Sequence, residues 1–235
     1  MSSQIVTIGG GGFLTGTEPC LDSYVLDQTT SETPKIGFIG TASGDDLRFI
    51  VRFFSRFSKM GCTPSALGLF GRVQNIEEWI LEQDIIYVGG GNTKSMLGVW
   101  SNWGIPQLLE AALSNGTILS GVSAGAICWF DAGVTDSLGS SLTALDGLGF
   151  IEGSCCPHYS VEVERKPMFE EMILRNELAG GVAIDDGAAI HWMDGKPIKV
   201  IIGKAGASAY SVSSINGSIV SKPIEGADYV DIASE

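Results

Sequence analysis

The sequence predicts an α/β fold in which helices cover both faces of a mostly parallel sheet. Three observations carry that expectation. Short apolar runs recur, each ending in glycine; segments with helical spacing of apolar residues lie between them; and Asp-Gly and Asn-Gly turns crowd the chain after residue 182.

The strands come first. Ile5 to Ile8 leads into Gly9-Gly10-Gly11-Gly12, Lys35 to Ile39 into Gly40, Ile85 to Val88 into Gly89-Gly90-Gly91, and Thr117 to Leu119 into Ser120-Gly121. Continuous apolar runs of this length suit strands buried on both faces, with their carboxyl ends opening into tight turns. Between them, Asp45 to Lys59 places Leu47, Ile50, Val51, Phe54 and Phe57 at helical spacing. Asn75 is positioned to cap a short helix containing Ile76, Trp79, Ile80 and Leu81. Thr93 to Trp100 and Pro106 to Leu113 read as two further helices separated by Gly104. Alternating strands and helices imply parallel strands joined by crossovers. From Gly133 to Gly153 glycines and short runs dominate, and Lys166 to Leu178 is helical, with Pro167 tolerated in the first turn. After Val182, turns at Asp186-Gly187, Asp194-Gly195 and Asn216-Gly217 predict an antiparallel or mixed extension at the sheet edge.

Composition narrows the function classes. A chain of 235 residues with 44% hydrophobic and 17% charged residues is large enough to bury its own core, and one domain over 1–235 is expected. Its formal net charge of −13 repels phosphate backbones, so no nucleic-acid partner is expected. There is no basic region followed by a long apolar run at the start, and no stretch of 18 apolar residues, so neither a signal peptide nor a membrane partner is expected. The cysteines, Cys20, Cys62, Cys128, Cys155 and Cys156, are odd in number and form no paired CxxC motifs. They fit reduced thiols in a cytoplasmic protein and give no metal site.

The chemistry centres on Gly121-Val122-Ser123-Ala124-Gly125, which follows an apolar run and precedes a plausible helix. That is the strand–turn–helix setting of a nucleophile elbow, where small residues must flank the serine. A serine needs a base, and the chain has two histidines. His158 lies in a loop that can lean over the sheet end, whereas His191 lies in a strand-like run where packing is the usual role. A third group must orient the imidazole. Asp185 and Asp186 follow a short apolar run and precede Gly187, and either could serve; as an alternative they form a turn. The loop Gly89 to Asn92 lacks the lysine of a phosphate-binding loop, and Gly9 to Gly12 is followed by Leu14 where a dinucleotide site needs glycine, so no cofactor is expected. The better use of Gly89 to Asn92 is close backbone approach to a bound carbonyl, completing an oxyanion hole with the N–H of Ala124.

Tyr87-Val88-Gly89-Gly90-Gly91-Asn92-Thr93, Gly121-Val122-Ser123-Ala124-Gly125-Ala126, Pro157-His158-Tyr159 and Ile184-Asp185-Asp186-Gly187-Ala188-Ala189 together resemble the peptidase E (aspartyl dipeptidase) and cyanophycinase family of serine peptidases. The match runs from about Ile5 to Ile202. The resemblance implies a three-layer sandwich of the class I glutamine amidotransferase type (flavodoxin-like), with serine in place of cysteine. It implies a catalytic Ser123–His158–Asp186 triad, Asp186 standing where the family often has glutamate. It also implies an oxyanion hole from Gly90, Gly91 and Ala124, no metal, and a dipeptide or other short peptide as substrate, including N-terminal Asp or isoaspartyl peptides. Arg165 matches a family arginine that binds an acidic substrate side chain, and Asn92 and Tyr159 join it as substrate-binding candidates. A homodimer is compatible with the sequence. Two rivals stay open: an α/β-hydrolase-type esterase or amidase, which would use His191 with Asp136 or Asp146, and a non-catalytic binding protein on the same fold.

Overall fold

The structure is a computed structural model that describes residues 2–72, 75–139, 141–224 and 228–232. Eight strands form the central sheet: β1 (Gln4–Ile8), β2 (Lys35–Ile39), β3 (Thr63–Leu67), β4 (Ile85–Val88), β5 (Ile118–Val122), β10 (Ala188–Met193), β11 (Lys196–Ile202) and β14 (Asp228–Asp231). Their spatial order is β14-β11-β10-β1-β5-β4-β2-β3. The run β1-β5-β4-β2-β3 is parallel throughout, β10 is antiparallel to both β1 and β11, and β14 is parallel to β11.

Alternate side chains of these strands enter two different cores, as the pleat requires. On one face Val6, Ile8, Phe38 and Tyr87 meet Leu21 and Val25 of helix α1 (Pro19–Leu26) and Phe53 and Phe57 of α2 (Leu47–Phe57). On the other, Ile5, Ile39, Ile86, Val88 and Leu119 meet α3 (Ile76–Leu81), α4 (Thr93–Trp103) and α5 (Ile105–Ser114) through Ile80, Met96, Trp100 and Leu109. Helices thus cover both faces. Asp46 caps α2 by accepting from the Arg48 N–H at 2.8 Å. The helical spacing in α2 is as expected, but Phe53 and Phe57 are the side chains that turn fully inward, while Leu47 and Val51 are 73% and 61% exposed. Asn75 precedes α3 with φ of 54° and contributes no side-chain cap, so it acts as a left-handed turn residue instead.

The second half of the chain supplies the expected mixed extension: β10, β11 and β14 continue the central sheet beyond β1, with β10 and β11 joined as an antiparallel hairpin at Asp194-Gly195. It also forms a layer that was not expected. A separate six-stranded sheet of order β13-β12-β9-β8-β6-β7 is built from β6 (Phe130–Thr135), β7 (Thr143–Asp146), β8 (Ile151–Pro157), β9 (Gly181–Ile184), β12 (Ala209–Ile215) and β13 (Ser218–Pro223). It is joined to the central sheet's core through Phe130, Ile151, Cys155, Val182 and Ile184. Helix α7 (Arg165–Leu174) covers it with Phe169, Met172 and Ile173. No helix among the described residues is long and apolar enough to cross a membrane.

Parallel alignment brings the carboxyl ends of β1, β5, β4 and β2 to one edge. Crevices outside those ends are where open α/β sheets place their sites.

Candidate active site

β5 runs into Ser123 and then directly into the short helix α6 (Ala124–Ile127). The chain reverses so sharply that Ser123 adopts φ 58°, ψ −113°, a conformation that costs of order 1–3 kcal/mol for a residue with a Cβ. The turn closes only because Gly121 has no side chain: a Cβ there would lie 2.1 Å from the Gly125 carbonyl oxygen. The reward is a serine hydroxyl standing clear of the sheet end. Ser123 Oγ is 2.8 Å from His158 Nε2, and His158 Nδ1 is 2.6 Å from Asp186 Oδ1. Ser123 closes the central sheet's β5, His158 follows β8 of the second sheet with φ 57°, and Asp186 sits on the turn from β9 to β10 that passes between the sheets.

Gly9 and Gly10, at the end of β1, hold this arrangement together. Ser123 N–H donates to Ile8 O at 3.1 Å, Gly9 N–H to Ala188 O at 3.0 Å, and Gly187 N–H to Gly10 O at 2.9 Å. Gly10 also bridges to Asp186 in parallel register. The first glycine loop therefore works as the seat of the His158–Asp186 pair, a role its sequence alone did not reveal.

The choice between the two aspartates is clear in the geometry. Asp185 is buried and turned away: its Oδ1 accepts from Ser160 Oγ at 2.5 Å, and its Oδ2 accepts from the Ser208 N–H at 2.9 Å. The carboxylate on the imidazole is that of Asp186.

Beside Ser123 lies a cavity of about 570 Å³. Gly10, Gly11, Gly90, Gly91, Ser123 and His158 form its floor. Phe49 and Arg52, which the sequence did not single out, belong to its wall together with Leu14. The N–H groups of Gly90, Gly91 and Ala124 have no hydrogen-bond partner among the described residues. Gly91 takes φ 138° with the Ala42 carbonyl 2.3 Å from where a Cβ would stand, a conformation and a spacing that only glycine satisfies.

The expected substrate-binding residues are placed elsewhere. Asn92 is consumed by the fold: its Oδ1 accepts from Ser95 N–H at 2.8 Å, its Nδ2 donates to Ser137 O at 3.1 Å, and its own N–H donates to Ala42 O at 2.8 Å. Arg165 is 3% exposed, donating from Nε to Glu162 at 2.6 Å and from Nη1 to Val134 O at 2.8 Å. Tyr159 is buried against Phe169 and Tyr210 and donates to Glu170 at 3.1 Å. None of the three lines the cavity. His191 is equally committed, with Tyr24 Oη at 2.9 Å and Gln4 Oε1 at 3.1 Å; burial, aided by Lys199, lowers its pKa to about 4 and keeps the ring neutral. Asp136 and Asp146 are exposed and make no contact with either histidine, so the rival histidine–acid pairing is not assembled.

Among the described residues, no three His, Cys, Asp or Glu side chains come together in a way that could hold a metal ion. The profile of Peptidase family S51 matches residues 5–201. The chain belongs to peptidase family S51. The S51 assignment covers every element that carries the site and agrees with the peptidase E resemblance of the motifs. An uncharacterized peptidase, YgaJ, of Bacillus subtilis (strain 168) is 44% identical over 225 residues, spanning 94% of this chain and 96% of its own. The crystal structure of a peptidase from an acI-B1 Actinobacterium superposes with a TM-score of 0.71 at 17% identity, covering 95% of this chain and 98% of that one. A candidate peptidase E protein from Listeria monocytogenes EGD-e gives a TM-score of 0.63 at 16% identity, covering 96% and 100%. At such identities the two structures establish the fold, while the S51 match establishes that the chain is a peptidase.

Proposed function

We propose that the chain is a serine peptidase that cleaves dipeptides or other short peptides through an acyl-enzyme. The observation that carries this reading is the continuous hydrogen-bonded line from Ser123 Oγ through His158 to Asp186. In the first step His158 Nε2 takes the Ser123 proton as Oγ attacks the peptide carbonyl, and Asp186 holds the ring by accepting from Nδ1. Negative charge grows on the carbonyl oxygen, and the uncommitted N–H groups of Gly90, Gly91 and Ala124 are the donors at hand to stabilise it. The imidazolium then protonates the departing amine, and a water activated by the same base releases the acid. A cavity of about 570 Å³ is in the range of small-ligand sites and corresponds to a space roughly 10 Å across, which suits a short peptide.

Labelling tests the nucleophile. A neutral fluorophosphonate is expected to modify Ser123 and no other serine, as read by peptide mass spectrometry. His158→Ala should slow labelling at least about a hundredfold. Labelling at another serine, or unchanged labelling without His158, would overturn the assignment. A screen of Asp-X, isoaspartyl and neutral dipeptides then reads specificity.

A further inference from the structure

One side chain in the cavity wall is left unused by the triad. Arg52 projects from the middle of α2, and among the described residues that line the cavity it is the one that carries a permanent charge; the Glu18 carboxylate stands behind Gly11 of the floor but makes no ion pair with it. Its Nη1 donates to the Leu14 carbonyl at 2.5 Å, and its guanidinium carbon stands 6.0 Å above the Phe49 ring. The neighbouring arginines on the same helix are neutralised. Arg48 is held by Asp46 at 2.5 Å and Arg56 by Asp22 at 3.0 Å. Arg52 has no carboxylate within ion-pair distance among the described residues. In a chain with 27 acidic residues against 14 basic ones, an uncompensated guanidinium inside the reaction cavity stands out.

From this placement we infer that Arg52 is the subsite for a carboxylate of the substrate. The inference deepens the serine-peptidase reading and rests on it for the identity of the ligand as a peptide. A guanidinium carries five donors in a fixed plane; one is spent on Leu14, and the others can form the forked pair that a carboxylate accepts. The Leu14 carbonyl and the Phe49 ring fix the group before substrate arrives, which lowers the ordering cost of binding. Arg52 and Ser123 line the same cavity of about 570 Å³, so a short peptide with its scissile carbonyl at Ser123 can bring a nearby carboxylate to the guanidinium. The carboxylate comes either from the free C-terminus or from an acidic side chain. A peptide with neither carboxylate near the scissile bond forgoes this contact.

Three probes separate the sources: the dipeptides Asp-Leu and Asn-Leu, and Asp-Leu with its C-terminus amidated. Their affinities are measured by calorimetry on Ser123→Ala protein, and their kcat/KM values on the unaltered protein. Removing the recognised charge should weaken binding about tenfold or more. Loss with Asn-Leu identifies the side chain, and loss with the amide identifies the terminus. Adding Arg52→Gln should bring the discriminating ratio close to one, while Arg52→Lys should keep part of it. The ratio is read within each protein, so partial loss of folded protein cancels. Asp-Leu binding no better than both neutral analogues, or a ratio that survives Arg52→Gln, overturns the inference. The serine reading fails separately: discrimination by the protein without fluorophosphonate labelling of Ser123 would refute the nucleophile and leave the subsite standing.

Discussion

A methyl group added at Gly10 would lie 2.2 Å from Asp186 Oδ1, 2.5 Å from its Cγ and 2.9 Å from His158 Nδ1. Ordinary contact begins near 3.4 Å, so the carboxylate must retreat by about 1.2 Å. A retreat along the bond axis stretches the 2.6 Å His158–Asp186 hydrogen bond beyond the 3.5 Å limit of a real one. Gly10 does not occupy the left-handed region, so alanine suits its backbone, and the atoms displaced are the end of a side chain that is 28% exposed. Gly10→Ala should therefore change folding stability by no more than about 1 kcal/mol. The same substitution should lower kcat/KM by roughly 10²–10⁴, the range between a 1 Å misplacement and outright loss of the orienting acid. Two assays read the two halves: fluorophosphonate labelling rate for the triad and urea unfolding for the fold. Combined with Asp186→Asn, the alanine should cost little more, because both changes remove the same hydrogen bond. A labelling rate within about threefold of the unaltered protein would refute the claim that Gly10 seats the pair.

Asp186→Asn should drop turnover roughly 10³–10⁴-fold with the melting temperature almost unchanged, while Asp185→Asn should lower stability by about 1–3 kcal/mol by weakening its bonds to Ser160 and Ser208; the reverse pattern would exchange their roles. His191→Ala should cost about 1–3 kcal/mol in denaturation, because Tyr24 and Gln4 lose a buried partner, and should leave Ser123 labelling intact. Burial, partly offset by Arg56, raises the Asp22 carboxyl from 3.8 to about 6. Between those values the folded chain holds a proton that the unfolded chain has released, so this group's contribution falls as pH rises from about 4 to 6 and is level above. The stability difference between the protein and Asp22→Asn should shift over that window by up to about 3 kcal/mol, and parallel urea midpoints at pH 4 and pH 7 would dismiss the effect.

The strands β1, β2, β4 and β5 were legible because both faces are buried and the sequence shows it as unbroken apolar runs. β3 was not, since Thr63-Pro64-Ser65-Ala66-Leu67 lies at the sheet edge, where proline and polar residues are tolerated. The second sheet was hidden for a different reason. β9 and β10 are separated by three residues yet pair in different sheets, and no local pattern announces that choice. The line of Ser123, His158 and Asp186 could be read because each sits in a short motif. Arg52 could not, because on an amphipathic helix an exposed arginine looks like ordinary solvent-facing surface, and only the fold turns that surface toward Ser123. Arg165 misled for the converse reason: its position matched, but the second sheet encloses it.

That the reacting groups are shared between two sheets has a consequence for biosynthesis. A chain still emerging from the ribosome that has reached β5 carries Ser123 without the other two members of the proposed triad. It lacks the imidazole until β8 is laid down, and lacks the carboxylate until the crossing from β9 into β10 has been made. On the proposed mechanism proteolytic power therefore requires both sheets, and the stretch of chain up to β5 cannot supply it alone.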